Sequence, residues 1–150
     1  MQHLIPFRYQ KQWFAVDASL VEQILGAQTW MPVPGAPPLF PGVMAWRGRA
    51  TAVLDLAMLP RDSSDPEPRL SEDRPPRTLI AHVGDSTLGI PADEVREALL
   101  IENLQLMPLR LSRVRFARSE FELGDYIAVV LDLSSLVESV VGEGKAEGQR

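Results

Sequence analysis

Two short patterns occur twice in this chain, in the same order and at almost the same separation. Ala52-Val53-Leu54-Asp55-Leu56 returns 77 residues later as Val129-Val130-Leu131-Asp132-Leu133. Phe14-Ala15-Val16-Asp17-Ala18-Ser19-Leu20-Val21 is echoed 74 residues later by Leu88-Gly89-Ile90-Pro91-Ala92-Asp93-Glu94-Val95. One apolar run ending in Asp-Leu is common, but two collinear matches point to two related halves, with a period too long for a solenoid. Between the halves, residues 61–77 hold nine charged residues, four Pro and three Ser among 17, with Leu70 the one apolar side chain. Such a segment buries too little surface to offset its ordering entropy. It reads as a flexible linker.

Within each half, 13 prolines and 10 glycines cut the chain into short pieces. Leu4–Tyr9 and Trp13–Val16 read as a hairpin across Gln10-Lys11-Gln12. Ser19–Leu25 reads as one or two helical turns, capped by Asp17 or Ser19 and stopped by Gly26. Thr29–Val33 is a strand that Pro32 places near an edge, and residues 34–38 form a loop. Val43–Trp46 and Ala50–Leu56 are strands joined by Arg47-Gly48, where glycine reaches positive φ at little cost. Later strands are expected over Thr78–Val83, Thr87–Ile90, Ala98–Leu106, Arg113–Ala117 and Tyr126–Asp132. A short helix over Leu133–Val141 and a disordered tail over 142–150 complete the reading. Many short strands between turn residues suggest a mainly β protein built as small barrels.

Composition excludes several functions. Net charge is −5 with pI about 5.0, which lacks the basic face that nucleic-acid binding requires. No apolar run approaches the roughly 18 residues of a membrane helix. Met1-Gln2-His3-Leu4-Ile5-Pro6 lacks the basic and apolar regions of a signal peptide. The absence of cysteine excludes disulfides and thiolate chemistry and fits a reducing compartment. No nucleophile elbow, phosphate loop, dinucleotide fingerprint or metalloprotease motif is present. His3 and His82 are isolated in the sequence, and no metal-ligand spacing occurs. Neither a catalytic site, a cofactor nor a metal is expected. Arg47 reads as a turn residue held by a carboxylate such as Asp55 or Glu22. Asp55 and Asp132 read as caps for the turns that follow their strands.

The order of these motifs resembles the CheW-like domain of bacterial chemosensory adaptors, over about Leu4 to Val141. The resemblance is carried by Val21–Ile24, Gly42-Val43, Trp46-Arg47-Gly48, Val53-Leu54-Asp55-Leu56, Gly89-Ile90, Asp93-Glu94-Val95 and Leu131-Asp132-Leu133. It implies two five-stranded SH3-like barrels, about 1–60 and about 78–133, with some exchange of terminal segments. It also implies a non-catalytic, cytoplasmic adaptor that couples the cytoplasmic hairpin of a chemoreceptor to the regulatory domain of a CheA-type histidine kinase, with other CheW-like proteins as further partners. The groove for the receptor hairpin would be lined by Val21, Gln23, Arg47, Leu79, Gly89 and Val95. Glu22, Gly42, Gly48, Asp55 and Asp132 would serve the fold.

Two departures from the family pattern stand out. The family usually has Glu where this chain has Gln23, pairing with the arginine matched by Arg47. Here Glu22 stands one residue earlier, so either the pairing moves to Glu22 or Gln23 bonds Arg47 without charge. The stretch Arg113-Val114-Arg115-Phe116-Ala117-Arg118-Ser119-Glu120-Phe121 also lacks the glycine of the family's penultimate strand, which implies a divergent adaptor whose kinase contact is weakened or altered, one that binds the receptor but modulates or skips the kinase. A ligand-binding or enzymatic β-barrel is the alternative from another class. The collinear barrel pair with Arg47-Gly48 favours the adaptor.

Overall fold

Alternating apolar residues and a polar turn make the first hairpin. In the computed structural model, which describes residues 1–59, 74–109 and 114–148, β1 (Gln2–Tyr9) and β2 (Gln12–Asp17) pair antiparallel from Leu4↔Asp17 to Tyr9↔Gln12. Asp17 then caps a single 3-10 turn, Ala18–Leu20, by accepting from the Ser19 N–H at 2.9 Å.

Next come β3 (Val21–Leu25), β4 (Trp30–Pro32), β5 (Gly42–Trp46) and β6 (Arg49–Val53). They are followed by β7 (Arg77–Val83), β8 (Ser86–Ala92), β9 (Glu94–Val95) and β10 (Leu99–Ile101). β11 (Ala117–Leu123), β12 (Tyr126–Leu131) and α1 (Leu133–Gly148) end the chain.

Among the described residues the chain is mainly β, as expected, in two sheets of six strands each. The first runs β10-β1-β2-β12-β11, with β9 also on β1; the second runs β3-β7-β8-β6-β5-β4. Each sheet therefore has one strand more than expected. Among the described residues no pairing joins β3 to β4 or β10 to β11, so neither sheet closes into a full barrel.

The sequence repeat is written into the pairing. The parallel pair Ala52↔Leu88 and Val53↔Gly89 between β6 and β8 has its counterpart in Val129↔Phe14 and Val130↔Ala15 between β12 and β2. Likewise Val21↔Ala81 matches Val95↔Phe7, and Met44↔Thr51 matches Phe121↔Ala128. Each repeat thus places its opening hairpin in the other's sheet: β1–β2 sits with β9–β12, and β7–β8 with β3–β6.

Alternation then fills three apolar clusters. Ile5, Phe7, Phe14, Val16, Leu79, Ala81, Leu88, Ile90, Val129 and Leu131 point between the sheets, with Leu133 and Leu136 of α1. Leu4, Trp13, Ala15, Phe121, Ala128 and Val130 fill the inside of the first sheet. Met44, Val53 and Ile80 do so in the second, with Leu25, Trp30 and Trp46 packed around them. Strands β2 and β12 are buried on both faces, which explains their nearly continuous apolar runs.

Several local expectations are corrected. Val21–Leu25 is a strand on β7 rather than a helical turn, because its β-branched Val21 and Ile24 fit a pleated surface. The strand expected over Ala98–Leu106 ends at Ile101 and gives way to a 3-10 turn at Asn103–Gln105, where Gln105 Oε1 accepts from the Glu102 N–H at 2.9 Å. The strand expected from Arg113 begins at Ala117, since Phe116 has φ 65° and the Ala117 N–H closes a turn on Val114. The last helix continues to Gly148 through the tail expected to be disordered, over a stretch with the good helix formers Glu143, Lys145, Ala146 and Glu147. Arg77 opens β7, and residues 61–73 of the expected linker lie outside the described residues.

Two glycines are fixed by close approach. A Cβ on Gly42 would strike the Met31 carbonyl oxygen of the paired strand β4, which cannot move without breaking that pairing. A Cβ on Gly89 would meet Met44 Sδ at 2.5 Å, part of a flexible side chain. Gly42→Ala is therefore expected to lower stability by about 2–3 kcal/mol, and Gly89→Ala by about 1–2 kcal/mol, in urea unfolding. Equal losses would contradict this ranking.

Candidate functional site

The hairpin β5–β6 ends in a two-residue turn. Arg47 (φ 48°) and Gly48 (φ 74°) both lie in the left-handed region, the pattern of a type I′ turn matched to strand twist. The turn projects the Arg47 side chain outward, where it is 63% exposed.

Across the sheet, β3 carries a bulge. Register slips between Val21↔Ala81 and Gln23↔Ile80, leaving Glu22 as the extra residue. A bulge re-aims side chains that strict alternation would send to opposite faces. Here it lets two consecutive residues reach the same hairpin. Glu22 Oε1 accepts from Arg47 Nη1 at 3.3 Å, and Gln23 Oε1 accepts from Trp46 Nε1 at 3.3 Å. Of the two arrangements open from the sequence, the ion pair has moved to Glu22, and Gln23 bonds the neighbouring Trp46.

The cluster extends onto β7 and β8. His82 Nε2 lies 2.7 Å from the other Glu22 oxygen, and His82 Nδ1 lies 3.0 Å from Thr87 Oγ1. The Trp46 ring is 5.8 Å from the His82 ring, and the Arg47 guanidinium sits 4.6 Å over it. Bonding to His82, reinforced by the Arg47 charge, holds the Glu22 carboxyl below its ordinary value of 4.5.

The remaining residues expected in a groove divide. Val21 and Val95 are half-buried at repeat-equivalent positions, each packed against the core between the sheets. Gln23 and Arg47 are exposed. Leu79 and Gly89 are not at a surface: Leu79 is fully buried between the sheets, and Gly89 packs against Met44 inside the second. Both lie on central paired strands and are covered where they stand, unlike His82 and Thr87 near the end of the same strands.

Asp55 and Asp132 act locally. Asp55 is buried, accepts from the Tyr9 hydroxyl at 3.0 Å and caps the 3-10 turn Leu56–Met58 through the Ala57 N–H. Asp132 accepts from the Ser135 N–H and hydroxyl at the start of α1. Among the described residues no group of His, Cys, Asp and Glu could hold a metal ion, and no helix is long and apolar enough to cross a membrane.

His82 and Thr87 were not singled out as site residues from the sequence. Alternation gives part of the signal: Leu79, Ala81 and Val83 face the core between the sheets, which puts His82 on the opposite face with the buried Ile80, directly opposite Thr87. The bulge that completes the cluster has no such signal.

The CheW-like domain family matches residues 3–141. The chain belongs to this family. Among solved structures it is similar to the scaffolding protein TtCheW from Thermoanaerobacter tengcongensis, with a TM-score of 0.70 and 17% identity over 91% of this chain and 92% of that one. At that identity the likeness concerns the fold. No curated protein matches.

Because Glu22 is depressed, its pairing stabilises the fold above the ordinary carboxylate value of 4.5 and is lost as pH falls through the lower folded value. His82→Ala is expected to move the Glu22 midpoint upward in a carboxyl NMR titration and to weaken the loss of stability in acid. An unmoved midpoint would show that His82 does not hold the carboxylate.

Proposed function

We propose that this protein is a chemosensory adaptor that binds the cytoplasmic hairpin of a chemoreceptor and the regulatory domain of a CheA-type histidine kinase. Membership of the CheW-like family supports the role. The observation that carries the site is the Arg47 turn, presented outward and held through one carboxylate oxygen of Glu22. The receptor hairpin docks beside β3 and the β5–β6 turn, with Val21 and Val95 as apolar anchors and Gln23 and Arg47 as polar contacts. This is helix-in-groove recognition, in which apolar anchors supply affinity and rim groups set register. The adaptor performs no catalysis, needs no cofactor and acts in the cytoplasm beside the membrane-anchored receptor.

The kinase contact falls to the first sheet, which contains the divergent stretch ending at Phe121. There Glu120 is buried in β11 at the position that Val43 takes in the other repeat. A buried carboxylate in place of valine gives this sheet packing of its own.

Titration calorimetry with a receptor cytoplasmic hairpin and with a kinase regulatory domain tests both contacts. Arg47→Glu reverses the exposed charge and is expected to weaken receptor binding tenfold or more, about 1.4 kcal/mol. Its unfolding midpoint should stay near that of the wild type, since an exposed ion pair contributes about 1 kcal/mol or less. Unchanged receptor affinity in the folded variant would remove Arg47 from the contact.

A further inference from the structure

We infer that this protein carries a small-molecule site where its two repeats meet, and that the site takes a small aromatic carboxylate, its ring in an apolar cavity and its carboxylate on Arg115. The cavity lies at the start of β5, the opposite end from the Arg47 turn, so it stands apart from the receptor contact proposed above.

Two turns that hold the same place in the two repeats build it. In the first, the Phe40 N–H donates to the Pro37 carbonyl at 3.0 Å, and the Asp55 N–H donates to the Leu39 carbonyl at 2.8 Å. In the second, the Ala117 N–H donates to the Val114 carbonyl at 3.2 Å, and the Asp132 N–H donates to the Phe116 carbonyl at 2.7 Å. Both turns line one cavity of about 170 Å³, Pro37 and Leu39 from the first, Arg115 and Phe116 from the second. Leu39 and Phe116 also pack on the core between the sheets, so the cavity has an apolar floor that neither half supplies alone. Helix α1 adds Ser139 to its wall.

Size and lining select the ligand. A cavity of about 150 Å³ holds one benzene-sized molecule, so this one suits a single ring with a small substituent. The Phe116 ring and the Met58 thioether, which also lines the cavity, both pack well against an aromatic ring.

Charge selects the polar end. Arg115 is exposed, and its guanidinium sits 4.8 Å from the centre of the Phe116 ring. Among the described residues no carboxylate pairs with Arg115 and no acceptor takes its N–H groups. A guanidinium stacked on a ring keeps the donors in its own plane, and these match a carboxylate two at a time. Pro38 stands at the equivalent place in the other turn, so the cavity is cationic on one side alone. The Ser139 hydroxyl is spent on the Leu136 carbonyl at 2.9 Å, which leaves an anion to Arg115. Backbone strain marks the same turn: Phe116 has φ 65°, a conformation that a bulky side chain adopts where the surrounding structure imposes it, as at binding sites.

The test is an amide NMR titration of the intact protein with benzoate at neutral pH, with benzyl alcohol as the uncharged control of similar shape. Benzoate is expected to saturate in the millimolar range and to move the Leu39, Phe116 and Ser139 amides together. Arg115→Gln should weaken benzoate about three- to fivefold, the scale of one exposed charge pair, and leave benzyl alcohol unchanged. Ser139→Leu, which fills the cavity, should abolish both. A thermal melt checks that each variant is folded, and if Ser139→Leu is not, Arg115→Gln decides alone, since its side chain is exposed. No saturable shift at the three amides with benzoate overturns the inference. So does benzyl alcohol binding as tightly as benzoate, or an equal loss of both ligands in folded Arg115→Gln.

Discussion

The parallel pairing of β2 with β12, and of β8 with β6, ties each half of the chain to the other. Hairpins alone would give two ladders of local pairs, each free to fold apart. Because every opening hairpin completes the sheet of the other repeat, its second face is presented to the space between the sheets. There Phe7, Phe14, Leu79 and Ile90 meet in one core. Neither sheet can bury that face without its counterpart, so the two behave as one cooperative unit.

The same scaffold explains why a polar cluster can form at the edge of the second sheet. Strand β7 is anchored by its apolar residues on one side, which leaves His82 on the other at a fixed register opposite Thr87. The type I′ turn holds Arg47 at the end of β5, and the bulge in β3 brings Glu22 to it. Three elements converge on one carboxylate, each positioned by backbone pairing rather than by the side chains themselves. The first sheet has no such arrangement at the matching place: Arg96 stands at the position of Glu22, bonded to Glu94 and stacked 4.3 Å over Trp13. The repeat preserves the backbone and reverses the sign of the charge.

How much of this was readable depends on the kind of physics involved. Repetition and period-2 alternation are long-range and short-range forms of the same signal, so the two halves, most strands and the Arg47-Gly48 turn could be read directly. The alternation of Ile5, Phe7 and Tyr9 with Leu4 even separates two cores. Residues whose fate depends on pairing were harder. Val21–Leu25 resembles a helical turn until β7 is placed beside it, and Leu79 looks like a surface contact until both faces of its strand are covered. The shift of the ion pair from Gln23 to Glu22 needed the bulge, a backbone irregularity with no residue type of its own. Phe116 at positive φ is similarly invisible, since nothing but context holds a phenylalanine there.

The exchange of hairpins also sets an order of assembly. All strands of the second sheet lie between Val21 and Ala92, so that sheet can complete while the chain is still being made. The first sheet cannot: β2 emerges well before its parallel partner β12, with the whole second sheet between them. Until β12 follows, the β1–β2 hairpin keeps an apolar face and an unpaired edge in waiting. Closing a pair so far apart in sequence is slow, and such edges favour wrong partners. Pro6 inside β1 removes one donor from that waiting hairpin, and Gln10-Lys11 at its tip is polar. The hairpin β1–β2 is thus the element left longest without its partner strand.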